Sequence, residues 1–114
     1  MRHIKTAGKR SGFQVLFSTR SAQAASMTLR SGEVSGEFGD EHPWAEQWLY
    51  VVSGSGRARV EKRRVPLEEG SLLLIAKGEK HQIENTGRKP LVTMSFYTPT
   101  AYTQEGELKR KRVG

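Results

Sequence analysis

The feature that most limits the fold of this chain is a succession of short extended segments separated by glycine and proline turns. Helical periodicity is hard to find, whereas Arg57–Glu61 alternates charged and apolar residues, as a strand with one wet face does. The other predicted strands are Phe13–Phe17, Ala24–Arg30, Gln47–Ser53, Val65–Leu67, Leu72–Ala76, His81–Glu84 and Leu91–Tyr97. About eight to ten short strands at this spacing predict an all-β fold, either an antiparallel barrel or a sandwich.

The stretch Gly70–Asn85 is the most informative of these segments. Leu72–Ala76 is an unbroken apolar run, which predicts a strand that is buried on both faces. Gly78 ends the run, and His81 opens a new strand-like segment that closes in a turn at Asn85. A histidine in this position can point into the interior of a barrel. We expect turns with positive φ or close backbone approach at three glycines: Gly54, Gly70 and Gly78.

The composition limits the kinds of site and the location that we expect. The 114 residues fit one domain, which we expect to span residues 1–104, followed by a polar and basic tail over residues 105–114. Because cysteine is absent, a metal site would have to use His, Asp, Glu or Gln. No apolar run reaches about 18 residues, and the N-terminal residues lead into no hydrophobic stretch, so we expect a cytoplasmic protein without a membrane segment.

The net charge of +7 is distributed unevenly along the chain. Residues 1–32 contain six basic residues and no acidic one, and residues 109–112 are all basic, whereas acidic residues gather between Glu37 and Glu46. A basic surface could attract nucleic acid, with the C-terminal tail as the contact. We favour a solvated basic face with a frayed tail as the explanation of such a composition, so we do not expect a nucleic-acid partner.

Polar residues that could share a site with His81 occur before and at the start of the strand Gln47–Ser53. Asp40 and His42 lie two residues apart, so in an extended chain they face the same side. Within the strand, Gln47 shares a face with Leu49 and Val51, whereas the opposite face carries Trp48, Tyr50 and Val52. If Gln47 faces inward, its amide needs hydrogen-bond partners or a cation.

Two motifs in this chain resemble those of the cupin superfamily. The second cupin motif, G-x5-P-x-G-x2-H-x3-N, is matched by Gly70, Gly78, His81 and Asn85 at the right spacing, with Ala76 in place of the proline. In the first motif, an H-x-H pair precedes a Glu, and a Gly follows seven positions after that Glu. His42 and Gly54 match this motif, whereas Asp40 replaces the first histidine and Gln47 replaces the glutamate. The resemblance covers about residues 24–97 and implies a small, jelly-roll-like antiparallel β-barrel.

The resemblance also implies a ligand set for a divalent metal ion. Carried over residue by residue, the candidates are Asp40, His42, Gln47 and His81, and the implied ion is Fe, Mn, Ni or Zn. Glu41 and Glu46 are alternative oxygen ligands if the register is shifted by one residue. In the metal-free alternative, these side chains hydrogen-bond to one another or to a ligand.

Two functional classes follow from the resemblance. The first is a small metal-binding cupin that binds or acts on a small oxygenated molecule, with dioxygenase- or isomerase-type chemistry and with Glu41 or Glu46 moving a proton. The second is a non-catalytic binding module for a sugar or a small anionic ligand. Trp44 could wall the pocket, although an aromatic residue there is more often part of the core. The resemblance and the apolar outer residues of the strand Gln47–Ser53 favour a homodimer.

Overall fold

The structure is a computed structural model, and it describes residues 1–6, 12–39 and 42–103. The described residues form eight strands and contain no helix, which confirms the predicted all-β class. The strands are β1 (Gly12–Ser18), β2 (Gln23–Leu29), β3 (Glu46–Ser53), β4 (Gly56–Val60), β5 (Arg63–Leu67), β6 (Leu72–Ile75), β7 (His81–Glu84) and β8 (Leu91–Thr98). Within these described ranges, no helix is long and apolar enough to cross a membrane.

The strands form two antiparallel sheets that enclose the core. The larger sheet has the order β1-β2-β8-β3-β6, and the smaller sheet has the order β5-β4-β7. Leu49 and Val51 from the larger sheet pack in one buried cluster with Ala58 and Ile83 from the smaller one. This arrangement is the jelly-roll-like barrel that the family resemblance implies, with an apolar interior between the sheets.

Strand β3 follows the predicted alternation over residues 46–52. Gln47, Leu49 and Val51 are buried, whereas Trp48 and Tyr50 on the other face are exposed. Period-two alternation therefore carries the amide of Gln47 into the interior, beside apolar side chains.

The prediction that β6 is buried on both faces is wrong. Leu72 and Leu74 expose 64% and 46% of their surface, whereas Ile75 is fully buried. The reason lies in the position of β6, which pairs with β3 alone and forms an edge of the larger sheet. Because no described part of the chain covers the outer face of this sheet, alternate leucines of β6 remain in water.

Turn residues of both motifs have a structural role. Gly54, Gly70 and Gly78 all have positive φ, as predicted. At Gly54 a Cβ atom would also overlap the carbonyl oxygen of Pro90, so only glycine fits there without a backbone shift. Asn85 is buried, and its amide donates to the carbonyls of Leu29 (2.9 Å) and Lys89 (2.8 Å).

Residues 98–103 form a strap that continues from β8 and packs back against the sheets. Ala101 and Tyr102 are buried, and both of their backbone N–H groups donate to Oε1 of Gln23. The amide nitrogen of Gln23 donates in turn to the carbonyl of Tyr102 (2.8 Å). Tyr102 thus ties the end of the barrel domain to β2. The predicted tail, residues 105–114, lies outside the described residues, so the domain limit at residue 104 stays a prediction.

Candidate functional site

A cavity of about 210 Å³ lies between the two sheets. Its polar lining includes His42, Gln47 and His81, and its apolar lining includes Met27 and Ile83. Gln47 comes from β3 and His81 from the start of β7, whereas His42 belongs to the loop before β3. The cavity thus draws its polar groups from both sheets and from a loop between them.

The structure brings together three of the four predicted site residues. Nε2 of His42 lies 3.1 Å from Oε1 of Gln47, and the imidazole rings of His42 and His81 lie with their centroids 5.0 Å apart. Asp40 lies outside the described residues. Gly39, the residue before Asp40, pairs with His81 through two backbone hydrogen bonds of 3.0 and 3.3 Å. The loop that leads to the first motif is therefore joined directly to the histidine of the second motif.

Each of the two imidazoles is oriented by a backbone carbonyl. Nδ1 of His42 lies 3.3 Å from the carbonyl oxygen of Ala45, and Nδ1 of His81 lies 3.0 Å from that of Glu79. Because a carbonyl only accepts, the neutral tautomer that satisfies both contacts carries its proton on Nδ1. Nε2 is then the nitrogen with a free lone pair, which is the arrangement that histidine ligands of metals use.

The environment of His42 favours its neutral form. Burial lowers the pKa of His42 below its ordinary value of 6.5, and the neighbouring imidazole of His81 lowers it further. Hydrogen bonds with Ala45 and Gln47 raise this pKa without reversing the shift. At neutral pH, Nε2 of His42 is therefore unprotonated and able to act as a ligand.

The contact between His42 and Gln47 tests whether the site suits a metal ion. Gln47 donates from its amide nitrogen to Oγ of Ser95 (3.0 Å), so its oxygen faces Nε2 of His42. When the proton of His42 is on Nδ1, a lone pair on Nε2 faces a lone pair on Oε1 of Gln47, with no proton between them. A cation bound by both atoms would remove this repulsion. Two ligand atoms that lie about 2.0–2.2 Å from one ion at a right angle are about 3 Å apart. The spacing of 3.1 Å therefore fits a shared ion.

A metal-free arrangement is also compatible with the same three side chains. If the amide of Gln47 turns by 180°, its nitrogen donates to Nε2 of His42 and its oxygen accepts from Ser95. Within the described part of the chain, no cluster of three or more His, Asp or Glu side chains could hold an ion. The described donor set is two imidazoles and one amide, and a charged fourth ligand could come only from Asp40 or another residue outside those ranges.

Aromatic rings form a second wall of the cavity, which the sequence did not reveal. Tyr102 packs against Phe13, with ring centroids 4.7 Å apart, and against Tyr97, at 5.1 Å. Tyr97 also meets the edge of His42 at 5.0 Å. Tyr97 lies opposite Gln47 in the pairing of β3 with β8, so the inward alternation of β8 was the available signal. Phe13 and Tyr102 reach the site only through tertiary packing.

Two other candidates lie away from the cavity. Glu46 is on the outer face of β3, where its carboxylate accepts hydrogen bonds from Nε1 of Trp48 (3.0 Å) and Oγ1 of Thr98 (3.2 Å). It therefore serves neither as a ligand nor as a proton carrier for this cavity. Trp44 packs against the cluster that contains Ala45 and Tyr97, in agreement with a core role. Glu41 lies outside the described residues.

The family model described as "Cupin domain" matches residues 25–97, which is more than half of the chain. This chain belongs to the cupin family. The match includes both motifs and ends at Tyr97. It establishes the family and the fold.

Two curated relatives come from Streptomyces. The chain is 35% identical over 60 residues to the tetracenomycin polyketide synthase protein TcmJ of Streptomyces glaucescens, a match that covers 53% of this cupin and 40% of that protein. It is 33% identical over 82 residues to protein SchB of Streptomyces halstedii, covering 72% of this cupin and 51% of that protein. The cupin therefore spans about half the length of these relatives or less.

Solved structures share the architecture. Protein BH2720 of Bacillus halodurans superposes with a TM-score of 0.80 at 25% identity, over 94% of this cupin and 88% of that chain. An RmlC-like cupin with a double-stranded β-helix fold from Methanocaldococcus jannaschii gives a TM-score of 0.72 at 18% identity, over 85% and 87%. KdgF of Halomonas sp. gives 0.69 at 20% identity, over 77% of each chain. The last two likenesses support the fold alone.

Proposed function

We propose that the cavity binds a small oxygenated molecule through a divalent metal ion, Fe, Mn, Ni or Zn. The proposed ligands are His42, His81 and Gln47, with Asp40 as the charged fourth ligand. The observation that carries this proposal is the 3.1 Å approach of Nε2 of His42 to Oε1 of Gln47, beside the imidazole of His81, in a site where burial lowers the pKa of His42. The backbone pairing of Gly39 with His81 supports the inclusion of Asp40.

The size and lining of the cavity limit the class of ligand. A volume of about 210 Å³ is smaller than the roughly 300–1,000 Å³ of sites for drug-sized ligands. The rings of Phe13, Tyr97 and Tyr102 offer flat apolar surface, whereas the imidazoles and the amide offer polar contacts. We therefore propose a ligand with a single ring that carries oxygen substituents. The relationship to a polyketide synthase protein is compatible with this class.

In a catalytic form of the site, dioxygenase- or isomerase-type chemistry is proposed. A bound divalent ion would supply Lewis-acid activation of a ligand oxygen. The chain itself would orient the ligand against Tyr97 and Tyr102, whose rings would also exclude water from that side of the cavity. Oxygen uptake or product formation in the presence of single-ring phenols would distinguish this form from simple binding.

The cytoplasmic location stays a prediction.

The second candidate is a metal-free binding module for a sugar or a small anionic ligand. What favours it is the alternative orientation of the Gln47 amide, which satisfies His42 and Ser95 without an ion. In the described residues, every buried side-chain nitrogen and oxygen already has a hydrogen-bond partner. The described lining contains no Lys or Arg, so a neutral sugar suits it better than an anion.

Metal analysis of protein purified without chelators tests the proposal. We expect near-stoichiometric metal in the wild type, and its loss in His42→Ala and in His81→Ala. His3→Ala is the matched control, because His3 is an exposed histidine outside the cavity, and it should retain the metal. Equal trace amounts of metal in all four proteins would exclude the metal site and leave the metal-free module.

A further inference from the structure

We propose that the outer face of the smaller sheet binds a small organic phosphate monoester, at a site separate from the cavity between the sheets. The phosphate group would lie between Arg59 and Arg64, and the organic part would extend past Arg57 over the adjoining surface. This second site is independent of a metal ion in the cavity.

Strand pairing places these three arginines on one face of the smaller sheet. Arg59 of β4 lies directly opposite Arg64 of β5, and Arg57 lies two residues before Arg59 on the same strand. Arg57 and Arg59 are exposed, as their outward positions in the strand require. All three arginines line one surface depression of about 110 Å³, which is completed by Gln82 and Glu84 of β7.

The protein balances the charge of this depression only in part. Glu84 is its one acidic lining residue, and the carboxylate of Glu84 lies 2.7 Å from the guanidinium of Arg57. Arg59 and Arg64 have no carboxylate partner among the described residues. Three guanidinium groups and one carboxylate leave a surplus of two positive charges. A phosphate monoester, with a charge of about −1.5 to −2 at neutral pH, would match this surplus.

The pairing of Arg59 with Arg64 favours a ligand over a purely structural role. Like charges directly opposite one another on neighbouring strands destabilise a sheet. Basic residues on an edge strand discourage pairing with another chain, which accounts for Arg64 on β5. This explanation does not extend to Arg59, because β4 is the central strand of the smaller sheet. An anion bound between the two guanidinium groups would offset their repulsion.

Arg59 is held in place by an aromatic ring. Its guanidinium carbon lies 3.9 Å from the centroid of the Phe38 ring, and Phe38 is half-buried. Stacking of this kind restricts a long side chain that would otherwise sample many rotamers, so less entropy is lost when an anion binds. The N–H groups at the edge of a stacked guanidinium can still donate two parallel hydrogen bonds to phosphate oxygens.

The shape of the surface favours a phosphate ester over free phosphate. The depression of about 110 Å³ has the volume of about four water molecules at roughly 30 Å³ each, which suits a phosphate group. A second depression, of about 270 Å³, adjoins it, and Arg57 and Arg64 line both. The other residues that line the second depression are uncharged: Gly56, Pro66 and Thr86. The second depression therefore offers room for an uncharged organic group.

Isothermal titration calorimetry with ribose 5-phosphate and with inorganic phosphate, in Tris chloride buffer of low ionic strength, tests this site. We expect ribose 5-phosphate to bind more tightly than inorganic phosphate, and ribose not to bind. Arg59→Gln and Arg64→Gln should each weaken the binding of ribose 5-phosphate about tenfold or more. Glu84→Gln should strengthen it, because this change removes a negative charge and frees Arg57.

Arg20→Gln is the matched control, because it removes the same charge from an exposed position in the turn between β1 and β2. It should leave the affinity within about twofold of the wild type, since salt screens distant surface charges. Phe38→Leu changes no charge and should weaken binding by releasing Arg59, which covers a failure of the arginine variants to fold. His42→Ala should bind ribose 5-phosphate as the wild type does, and a loss of binding in this variant would move the ligand to the cavity and overturn the proposal.

Three other results would also overturn it. The first is a wild type that binds no ribose 5-phosphate at millimolar concentrations. The second is equal affinity in the wild type, Arg59→Gln and Arg20→Gln, because binding would then be a general attraction to a +7 chain. The third is tighter binding of inorganic phosphate or of a short single-stranded oligonucleotide than of ribose 5-phosphate, since neither is a small phosphate ester.

Discussion

Gln47 occupies the position at which the first cupin motif has a glutamate. A neutral amide oxygen binds a divalent cation more weakly than a carboxylate does, because affinity rises with the charge of the ligands. We predict that Gln47→Glu raises metal affinity about tenfold or more, measured by competition with a chelator. Gln14→Glu makes the same change at an exposed position of β1 and should leave the affinity unchanged. An unchanged affinity in Gln47→Glu would show that this side chain does not contact the ion.

The lowered pKa of His42 predicts a pH dependence of stability in the metal-free protein. Below pH 6.5 the unfolded chain takes up a proton on this histidine, whereas the folded protein resists protonation until the lower pKa is reached. The free energy of unfolding should therefore fall as the pH drops through this window, by at most about 1.4 kcal/mol per pH unit, and level off below the folded pKa. Urea unfolding between pH 7.5 and 4.5, after removal of metal, measures this slope.

His42→Gln should flatten this pH profile, because its side chain does not titrate. His3→Gln should retain the wild-type profile, since His3 is exposed. If His42→Gln and the wild type have the same slope, the pKa of His42 does not differ between the folded and unfolded states.

At the level of single residues, the sequence predicted the polar part of the site better than its apolar part. The spacing of the two motifs predicts that His42, Gln47 and His81 share one site, and the structure places all three around one cavity. The aromatic wall was missed, because Phe13 and Tyr102 are 89 positions apart and meet only after the strap has folded back. Glu46 was kept as an alternative because a one-residue shift of register reverses the face of every residue in a strand.

At the level of elements, the sequence predicts the positions of the strands along the chain, but not which strands pair with one another in a sheet. The boundaries of β7 agree with the sequence, and those of β3 and β8 differ by one residue. The prediction that β6 is buried on both faces was wrong because an apolar run is equally compatible with a central strand and with an edge strand that has one exposed face. The periodicity of the sequence shows how hydrophobic each face of a strand is. Whether other parts of the protein cover that face depends on the order of the strands in the sheet, which periodicity does not give.

The strap over residues 98–103 depends on one buried side chain, Gln23. Gln23→Leu is similar in volume but removes the three hydrogen bonds that Gln23 makes with the backbone of Ala101 and Tyr102. We predict a loss of about 2–4 kcal/mol in unfolding free energy, because each of these three hydrogen bonds contributes about 0.5–1.5 kcal/mol net. Chemical denaturation measures this change. Ligand affinity of the cavity should fall as well, since Tyr102 forms part of its wall.

Gln14→Leu is the matched control for the strap, because Gln14 is an exposed glutamine on the adjacent strand β1. A surface change of this kind should stay within about 0.5 kcal/mol of the wild type. Equal stability of Gln23→Leu and Gln14→Leu would mean that the strap does not depend on the buried amide.

At the level of the whole molecule, the two sheets have different outer surfaces. The smaller sheet carries arginines in water, with Arg57 paired to Glu84 at 2.7 Å and Arg59 stacked over Phe38 at 3.9 Å. The larger sheet presents apolar side chains on its outer face and carries Gln47 and Ser95 on its inner face. The proposed metal site thus lies on the inner face of the two strands, β3 and β8, whose outer face is apolar.

The most direct test of the metal site is anomalous scattering from crystals of protein purified without chelators. Data collected at the absorption edges of Fe, Mn, Ni and Zn should give one peak in the cavity. We predict that it lies about 2.0–2.3 Å from Nε2 of His42, Nε2 of His81 and Oε1 of Gln47. A cavity without such a peak, in which the amide of Gln47 hydrogen-bonds directly to His42, would contradict the metal site.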